Sequence, residues 1–376
     1  MGKNRKAITD KVKLQLWVKS GGRCQFKGCN DYVLRDELTY ANMNNAHIAH
    51  IIDVNPKTHR FSDKYTEEQK NELWNLMILC QKHHRLIDNE EEENCSIIKL
   101  SEFKKKHEDR IFNLTSIKDN VKTNVIFYFS KIGKFHPNAS FDDVRKILSN
   151  KGLYPSTEPI EIGSKNGVIE DNEELYWKME ERNLIVDFEK KVITHFENNS
   201  IKHFSVFALA PQPLLIKLGT LIPDLYTVDV YQKHREPDTW EWQESSKIKK
   251  FIIHSPNKVK IGVPVLNISL SASIDNDRIK KIIGNDCSIW TLTIDTPNNT
   301  FLTNSKTLEE FRKTLRLLFD EIKQVHGHDA ILKVFPSMPN SSSIEFGRVW
   351  MSKADLSMDI YDERNGFKKA LTIKRN

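Results

Sequence analysis

The sequence has 376 residues, a formal net charge of +6 and 39% hydrophobic residues. Because a single domain usually has roughly 100 to 200 residues, this length predicts two domains, and the apolar content excludes a disordered chain. No stretch approaches the roughly 20 continuous apolar residues of a membrane helix, and the N-terminus has no apolar signal core. We therefore expect a cytoplasmic protein with no membrane partner.

The first 30 residues are strongly basic, with eight lysine and arginine side chains against one acid, Asp10. A basic segment of this kind suits a polyphosphate backbone. An ordinary solvated helix face is the alternative interpretation.

The first predicted element is a helix over residues 11–20, which Thr9 or Asp10 can cap and which Gly21 and Gly22 end. A cysteine-containing turn, GRCQFKGCN, follows it. The stretches AHIAHIID and WNLMILC are predicted strands, and QKHHRLIDN is typical of the start of a helix.

The end of the first domain is marked by a charged helix, EFKKKHEDRIFNL, which Ser101 is predicted to cap. The helix closes near Leu114, so we place the first domain at residues 1–115. Residues 116–124 have no strong periodicity and are predicted to be a linker. The second domain then covers residues 125–376.

The second domain alternates strand and helix patterns. HFSVFALA, YTVDVYQ and SIWTLTI are predicted strands, KVKIGVPVLNISLSAS contains one or two more, and PLLIKLGTLI and LEEFRKTLRLLFDEIKQVHG are helical by their spacing. The order strand, helix, strand predicts an α/β domain with mostly parallel pairing. Two half-domains of similar order are compatible with this pattern.

The cysteines of the first domain indicate a metal site. Five cysteines in a chain of this length do not make a disulfide framework, and clustered cysteines in a reducing compartment more often bind metal. Two pairs have the spacing of metal ligands: Cys24 with Cys29, and Cys80 with His83. Two thiolates from a turn and a Cys/His pair at a strand-to-helix junction suit a tetrahedral structural zinc. Buried reduced cysteines are the alternative, which Cys95 and Cys287 fit.

A second set of polar residues, His50, Asn75 and His84, accompanies the zinc ligands. A histidine, an asparagine and a histidine on the strand, loop and helix of a zinc-braced hairpin can form a ββα metal nuclease site. One imidazole must be neutral near pH 7 to take a proton from water, which histidine offers. A divalent ion must neutralise the charge that develops on the scissile phosphate. The set predicts phosphodiester hydrolysis with one metal ion.

The segments CQFKGC, IAHII, WNLMILC and CQKHH, in this order, resemble the HNH endonuclease family. The resemblance implies that His50 is the general base and that Asn75 orients the loop or ring of that base. It also implies that His84 binds the catalytic ion, Mg²⁺ or a similar divalent ion. His83 would replace the cysteine that more often completes the zinc site.

The sequence departs from this family at Ala49, where the family commonly has a metal-binding Asp. The ion would then have fewer protein ligands or draw on His47 or Asp53, and the sequence leaves these alternatives open. Because strand side chains alternate with period two, His47 and His50 are expected on opposite faces, with one of them pointing at the metal. The segment IIDVNPKTHRF resembles the loop after the base in one HNH subfamily, which favours His50 as the base. A structural or DNA-facing role is expected for His47.

The second domain resembles the SAVED sensor family through FALAPQPLLIKLG, VDVYQKHR, TWEW and KVFPSMPNSSSIEFGRVWM. With the HNH segments, the resemblance implies an effector nuclease of a cyclic-oligonucleotide anti-phage system (CBASS). The sensor would bind a cyclic nucleotide, expected to be a cyclic dinucleotide such as cGAMP, and a homodimer would assemble further and degrade double-stranded DNA. The implied fold class is α+β, with a zinc-braced ββα-metal nuclease domain before a larger α/β sensor domain.

Six residues of the second domain have side chains suited to a nucleotide ligand: Tyr231, Lys233, Arg235, Trp240, Trp242 and Arg348. The three aromatic rings offer stacking faces for purines, and Lys233 and Arg235 can meet phosphates. The alternative for the aromatic residues is partial burial in the core, and for Arg348 a salt bridge on a helix. Pro336 and Pro339 mark a loop after a strand, the kind of position where α/β sheets bind ligands.

Two rival functions stay open. One is an HNH restriction endonuclease whose second domain reads modified DNA, and the other is a catalytically silent nucleic-acid binder. Residues 1–115 hold 20 basic and 17 acidic side chains, a net charge of +3, which leaves +3 of the total +6 for the larger remainder. A dedicated DNA reader of that size would usually be more basic. The joint presence of His50, Asn75 and His84 argues against the silent binder.

Overall fold

The chain forms two compact units, Met1–Lys118 and Asp119–Asn376, which we call unit 1 and unit 2. The computed structural model describes residues 7–36, 39–89, 95–116, 122–163, 173–198, 201–244, 247–256 and 262–375.

Two sequence predictions fall partly outside these ranges. The basic residues Lys3, Arg5 and Lys6 lie outside the described residues, as does most of the predicted linker, residues 117–121. The first strand of unit 2 begins at Lys122, inside the stretch predicted to be a linker, because residues 122–124 already pair with neighbouring strands.

Unit 1 is built around one antiparallel hairpin. Its elements are α1 (Asp10–Ser20), β1 (Ala46–His50), α2 (Glu67–Lys70), β2 (Leu76–Cys80), α3 (Gln81–Asn89) and α4 (Ile97–Thr115). β1 and β2 pair from Ala46 opposite Cys80 to His50 opposite Leu76. Every residue of β2 is buried, because α1 and α3 pack against this strand. The two strands and the helix after them occur where the sequence predicted them.

Helix α1 is confirmed with the predicted ends. The Thr9 hydroxyl accepts a hydrogen bond from the amide of Val12, and Gly21 follows the last turn with a φ of 61°. A Cβ atom at Gly21 would lie 3.0 Å from Cδ1 of Ile111, so both backbone conformation and space favour glycine here.

Helix α4 begins earlier than predicted. The Ser96 hydroxyl accepts from the amide of Lys99 and caps a helix that starts at Ile97. The predicted cap, Ser101, is therefore wrong, since an earlier serine satisfies the free amides of the first turn.

Unit 2 is larger and alternates strands with helices. Its first half contains β3 (Lys122–Phe129), α5 (Phe141–Asn150), β4 (Tyr154–Pro155), β5 (Ile160–Ile162), α6 (Glu174–Asp187), a π-helical stretch (Phe188–Ile193), α7 (Thr194–Asn198), β6 (His203–Leu209), α8 (Gln212–Leu221) and β7 (Thr227–Tyr231). Its second half contains β8 (Ile252–His254), β9 (Val263–Ser269), α9 (Asn276–Ile283), β10 (Cys287–Thr293), α10 (Ser305–His326), β11 (Ile331–Ser337), α11 (Asn340–Val349), β12 (Ser357–Glu363) and β13 (Phe367–Ile373). Among the described residues of both units, no helix is both long and apolar enough to cross a bilayer.

The strands of unit 2 form two sheets. In the first, β4, β3, β6 and β7 are neighbours in that order, β5 also pairs with β3, and all pairing is parallel. In the second, the order is β13, β12, β11, β9, β10 and β8, with a parallel centre and an antiparallel strand at each edge. The predicted α/β domain with mostly parallel pairing is confirmed.

Helices α8 and α11 join the two halves of unit 2 through a close glycine contact. A Cβ atom at Gly219 of α8 would lie 2.0 Å from the carbonyl oxygen of Ile344, and one at Gly347 of α11 would lie 2.0 Å from the carbonyl oxygen of Ile216. The contact is reciprocal, with the isoleucine three residues before the glycine in each helix. Each helix also follows a strand and a proline, so the two halves repeat one strand, proline, helix plan.

Candidate functional site

Unit 1 holds a cluster of side chains that can bind a metal ion. The cluster consists of the four predicted residues Cys24, Cys29, Cys80 and His83, whose ligand atoms all lie within 4.8 Å of one another. Nδ1 of His83 lies 3.6 Å from Sγ of Cys24 and 3.2 Å from Sγ of Cys80. Such separations suit four ligands around one ion, whose bonds to sulfur and nitrogen are about 2.0 to 2.3 Å long.

The turn that carries Cys24 is held against β2 by its neighbour Gln25. The amide of Gln25 donates to the Ile78 carbonyl at 2.8 Å, and its side-chain oxygen accepts from the Ile78 amide at 2.6 Å. The ring of Phe26 stacks on His83 with centroids 4.4 Å apart and planes within 6°. These contacts bring residues distant in sequence to one point.

Burial disfavours free thiolates in this cluster. Desolvation raises the pKa of Cys24 to about 11 and also raises the pKa of Cys29 above its ordinary value. Burial lowers the pKa of His83, so its imidazole is neutral near pH 7 and can act as a ligand. A bound cation would offset the cost of thiolate formation.

Unit 1 also has a cleft of about 600 Å³. The polar residues that line it are His50, Asp53, Asn55, Thr58, Arg60, Glu67, Asn71, His84 and Asp88. His50 ends β1 and His84 lies in the first turns of α3, so the hairpin and the helix bring both predicted histidines into one cleft.

His50 is held by a residue that the sequence did not point out, Asn71. Nε2 of His50 lies 2.8 Å from Oδ1 of Asn71. Because an amide oxygen can only accept, Nε2 carries the proton and Nδ1 is left as the basic nitrogen. The signal for Asn71 was weak, because it lies in a polar loop and only the fold brings it beside His50.

The side chain of Asn75 holds the backbone close to His50 through hydrogen bonds. Its side-chain oxygen accepts from the Ile52 amide at 2.7 Å, and its side-chain nitrogen donates to the carbonyls of Ile52 at 3.0 Å and of Lys70 at 2.9 Å. Asn75 is fully buried. The sequence predicted that it orients either a loop or a ring, and in the structure it fixes the loop directly after His50.

Arg60 ties the backbone of His50 to two carboxylates. Its guanidinium is buried, with 2% of the side chain exposed, and donates to the carbonyls of His50 and Ile51. Nη2 of Arg60 lies 3.1 Å from Oδ1 of Asp88 and 3.7 Å from Oδ2 of Asp53. This buried cation thus fixes the positions of both acids in the cleft.

Asp88 in turn contacts His84. Oδ2 of Asp88 lies 3.5 Å from Nδ1 of His84. Burial lowers the pKa of His84, an effect that Asp88 opposes. The imidazole is therefore neutral near pH 7, and with Nδ1 facing Asp88 the other ring nitrogen, Nε2, is the one that can bind an ion.

His47 approaches His84 directly. The ring centroids of His47 and His84 lie 4.8 Å apart, with the planes tilted by 35°. β1 keeps its regular register through His50, which pairs with Leu76, so the expectation that His47 and His50 lie on opposite faces of the strand stays a prediction.

In unit 2, the aromatic residues predicted to stack on a ligand lie in the core. Exposed fractions are 1% for Tyr231, 3% for Trp240 and 7% for Trp242. Tyr231 stacks on Phe207 at 4.3 Å, and Trp240 meets the same ring edge-on at 5.3 Å. The stacking role does not fit this placement, because other side chains cover the ring faces; the core alternative fits.

The predicted cationic residues differ from one another. Arg348 is buried on α11 and donates to Glu345 at 2.6 Å, so the salt-bridge alternative describes it and a ligand contact does not fit. Lys233 is partly exposed and pairs with Asp238, and Arg235 is exposed. Lys233 and Arg235 therefore keep the access that a phosphate contact requires.

The carboxyl ends of β6, β7 and β11 are linked by polar side chains. Gln212 at the start of α8 accepts from the Met338 amide at 3.1 Å. Gln232, directly after β7, accepts from the amide and hydroxyl of Ser341 at 3.1 and 2.8 Å. Ligands of parallel α/β sheets bind at such edges, and Lys233 follows Gln232 there.

These features define unit 2 as a doubled α/β domain, with two strand, proline, helix halves joined at Gly219 and Gly347. A profile of the family described as the "SMODS-associated and fused to various effectors sensor domain", SAVED, matches residues 185–373, which is half of the chain. The chain belongs to the SAVED family. No curated protein matches the sequence.

The solved structures that the chain resembles are distant from it. The Acinetobacter baumannii Cap4 SAVED/CARF-domain containing receptor with the cyclic trinucleotide 2'3'3'-cAAA has a TM-score of 0.43 and 10% identity, over 79% of this chain and 62% of that chain. The Moraxella osloensis Cap4 SAVED/CARF-domain containing receptor has a TM-score of 0.41 and 11% identity, over 75% of this chain and 63% of that chain. The chain thus spans less than two thirds of either receptor, and likenesses at these TM-scores carry no conclusion about ligand or activity.

Proposed function

We propose that this protein is an anti-phage effector endonuclease of the CBASS type. Unit 1 hydrolyses double-stranded DNA at the cleft of His50 and His84, as an HNH nuclease does. Unit 2 binds a cyclic oligonucleotide and thereby permits cleavage. One observation carries the nuclease part of the proposal: His50 and His84 line the same cleft, and Asn75 fixes the loop that directly follows β1 and His50.

The proton chemistry follows from the contacts of His50. With Nε2 donating to Asn71, Nδ1 is the nitrogen that takes a proton from the attacking water. Asn75 and Arg60 hold the backbone at His50 and directly after it, so the imidazole is positioned before substrate binds. General-base catalysis of this kind typically contributes about 10²- to 10⁴-fold.

Two metal ions complete the proposal. His84 would hold a divalent ion that stabilises negative charge on the scissile phosphate and on the leaving oxygen. The four-residue cluster would hold a structural zinc, because its thiol and imidazole donors are those that zinc prefers. The cluster lies where the turn that carries Cys24 and Cys29 meets β2 and α3, so its ion would brace the hairpin that presents His50 and the helix that presents His84.

The sensing part rests on membership of the SAVED family and on the edge formed by β6, β7 and β11. Gln232, Lys233 and Arg235 lie together in sequence directly after β7, with two side chains that can meet phosphates. Helices α8 and α11 both begin at this edge, and helix N-termini favour anionic groups. A small cyclic molecule with several phosphates suits such a surface.

We further propose that ligand binding changes the assembly state. A homodimer that associates further on binding would couple ligand to activity by mass action. Light scattering with and without ligand tests this directly: we expect a larger mass with ligand, and an unchanged mass at saturation would indicate a switch within one assembly.

Plasmid digestion tests the proposed function. Full-length protein is incubated with supercoiled plasmid and Mg²⁺ or Mn²⁺, alone and with each member of a panel of cyclic di- and trinucleotides. We expect degradation with one ligand, cGAMP being the first candidate, and little without it. Equal cleavage in every condition would contradict sensing and would favour the restriction-endonuclease alternative. No cleavage in any condition would favour the silent binder.

A further inference from the structure

We propose that His47 and His84 together bind the divalent ion of the cleft, so that the ion has two imidazole ligands from this chain. The proposal rests on the proposed function and deepens it, because it names the second protein ligand of the ion assigned to His84. It also gives a role to His47, whose ring lies against that of the cleft residue His84.

The distance between the two rings fits a shared ion. Two imidazoles that bind one ion at about 2.1 Å, at an angle between a right angle and a tetrahedral one, have ring centres roughly 5 Å apart. The centroids of His47 and His84 are 4.8 Å apart, and the 35° tilt is not that of a parallel stack. The two side chains come from β1 and α3, which are fixed to each other by the hairpin and by the turn from β2 into α3.

The nitrogen atoms required for binding are available. Nδ1 of His84 is engaged by Asp88 at 3.5 Å, an arrangement that commonly orients a metal-binding histidine and leaves Nε2 for the ion. Within the part of the chain that the structure describes, no hydrogen bond engages Nε2 of His84 or either ring nitrogen of His47.

Two carboxylates of the cleft, those of Asp53 and Asp88, are already engaged by other groups. Oδ1 of Asp53 accepts from the Asn55 amide at 3.0 Å, and Oδ2 lies 3.7 Å from Arg60. Asp88 contacts Arg60 through one oxygen and His84 through the other. A buried guanidinium beside both acids also disfavours a second cation on them. Of the alternatives that the sequence left open at Ala49, this favours His47 over Asp53.

The donor set implies a preference among ions. Mg²⁺ prefers oxygen ligands and keeps much of its water, whereas imidazole suits Mn²⁺, Co²⁺ and Ni²⁺ better. Ala49 supplies no donor and is 3% exposed within the core of unit 1. The cleft should therefore bind Mn²⁺ more tightly than Mg²⁺.

Electron paramagnetic resonance with Mn²⁺ tests the proposal on the full-length protein, first loaded with one equivalent of zinc to fill the cysteine cluster. Loss of the free Mn²⁺ signal gives the affinity, and pulsed measurements count the coordinated imidazole nitrogens. We expect two for the wild type. His47→Ala should leave one and weaken Mn²⁺ binding by about 10-fold or more.

Two further variants act as controls. His59→Ala removes an exposed histidine of the loop before Arg60 and should change neither readout. His47→Asp supplies an oxygen donor at the same position, so it should bind Mn²⁺ better than His47→Ala while still giving one nitrogen; this variant also covers the case in which the alanine variant fails to fold.

The outcomes separate this proposal from the proposed function. A wild type with one coordinated nitrogen or none, or a His47→Ala variant that keeps two, overturns the two-histidine site whether or not plasmid is cut. A two-nitrogen site in a protein that cuts no plasmid with any ligand supports the site and overturns the nuclease.

Discussion

The two units present their functional side chains in different ways. In unit 1 the cleft residues come from a short hairpin and the helix directly after it, and they contact one another through named hydrogen bonds and ion pairs. In unit 2 the aromatic residues at the end of β7 and in the segment after it lie inside a core shared by both halves, whereas the cationic residues between them, Lys233 and Arg235, reach solvent.

This difference teaches where sequence spacing is informative. On a hairpin followed by a helix, position along the chain restricts which side chains can meet, as it does for Cys80 and His83 at the junction of β2 and α3. In a doubled domain, the exposure of a tyrosine or tryptophan depends on strands far away in the sequence, such as β6 against Trp240. The predictions below test this contrast.

The largest effect is expected from Cys24→Ser. Losing one thiolate should remove about one metal ion per chain and unfold unit 1, because metal-coupled folding in small sites is worth on the order of 10 kcal/mol. Metal analysis and limited proteolysis should show the loss, with unit 2 still protected. Cys287→Ser, in unit 2, is the matched control; a Cys24→Ser protein with wild-type metal content would refute the ligand set.

A smaller effect is expected from Asn71→Leu. Loss of the acceptor for Nε2–H of His50 should lower kcat by about 10- to 100-fold with little change in KM. Asn71→Asp keeps an acceptor and should lose less. The backbone amide of Asn71, which caps α2, is unaffected by either change, so thermal stability should stay close to wild type. Equal kcat values for the two variants would argue against a positioning role.

In unit 2, the variants Trp240→Phe and Lys233→Ala together distinguish a residue of the core from a residue that contacts the ligand. Trp240→Phe should lower stability by about 1 to 2 kcal/mol while leaving ligand affinity within twofold, because the indole is buried. Lys233→Ala should do the opposite and weaken ligand binding by about 10-fold. Calorimetry of both variants with the activating ligand checks this. Weaker ligand binding by Trp240→Phe, with unchanged binding by Lys233→Ala, would indicate that the indole contacts the ligand.

The last effect depends on pH and concerns Asp362 of β12, an acid that unit 2 holds in a desolvated position. Burial raises the pKa of Asp362 from 3.8 to about 6. Between these pH values the folded state binds more protons than the unfolded state, so stability falls as pH rises through that window. Asp362→Asn should therefore stabilise unit 2 by about 2 kcal/mol at pH 7 and hardly at pH 4. A Tm gain of equal size at both values would point to another cause.

Much of the fold could be predicted from the sequence, and the reasons for the exceptions are physical. Helix α1, the hairpin and the alternation of unit 2 follow from caps and periodicity. Ser101 was misread as a cap because several serines fit a capping pattern and only the fold selects Ser96. The ends of the linker depend on strand pairing, which periodicity does not specify.

The sequence predicted which residue types form the candidate site but not which residues contact one another there. The resemblance to the HNH family assigned roles to His50, Asn75 and His84, yet the partner of His50 proved to be Asn71, a loop residue with no pattern around it. The place of Arg60 is a similar case, because a buried arginine looks like any basic loop residue until its neighbours are known. The roles of His47 and Asp53 likewise depended on which groups the fold had already paired.

The division of labour between the two units is tested most directly by one variant, His50→Ala. Its binding of the activating cyclic oligonucleotide is measured by calorimetry and its plasmid cleavage at saturating ligand is measured beside the wild type. The account predicts wild-type affinity together with a loss of cleavage of about 10²-fold or more. Wild-type cleavage by this variant, or loss of ligand binding in a protein that is still folded, would contradict it.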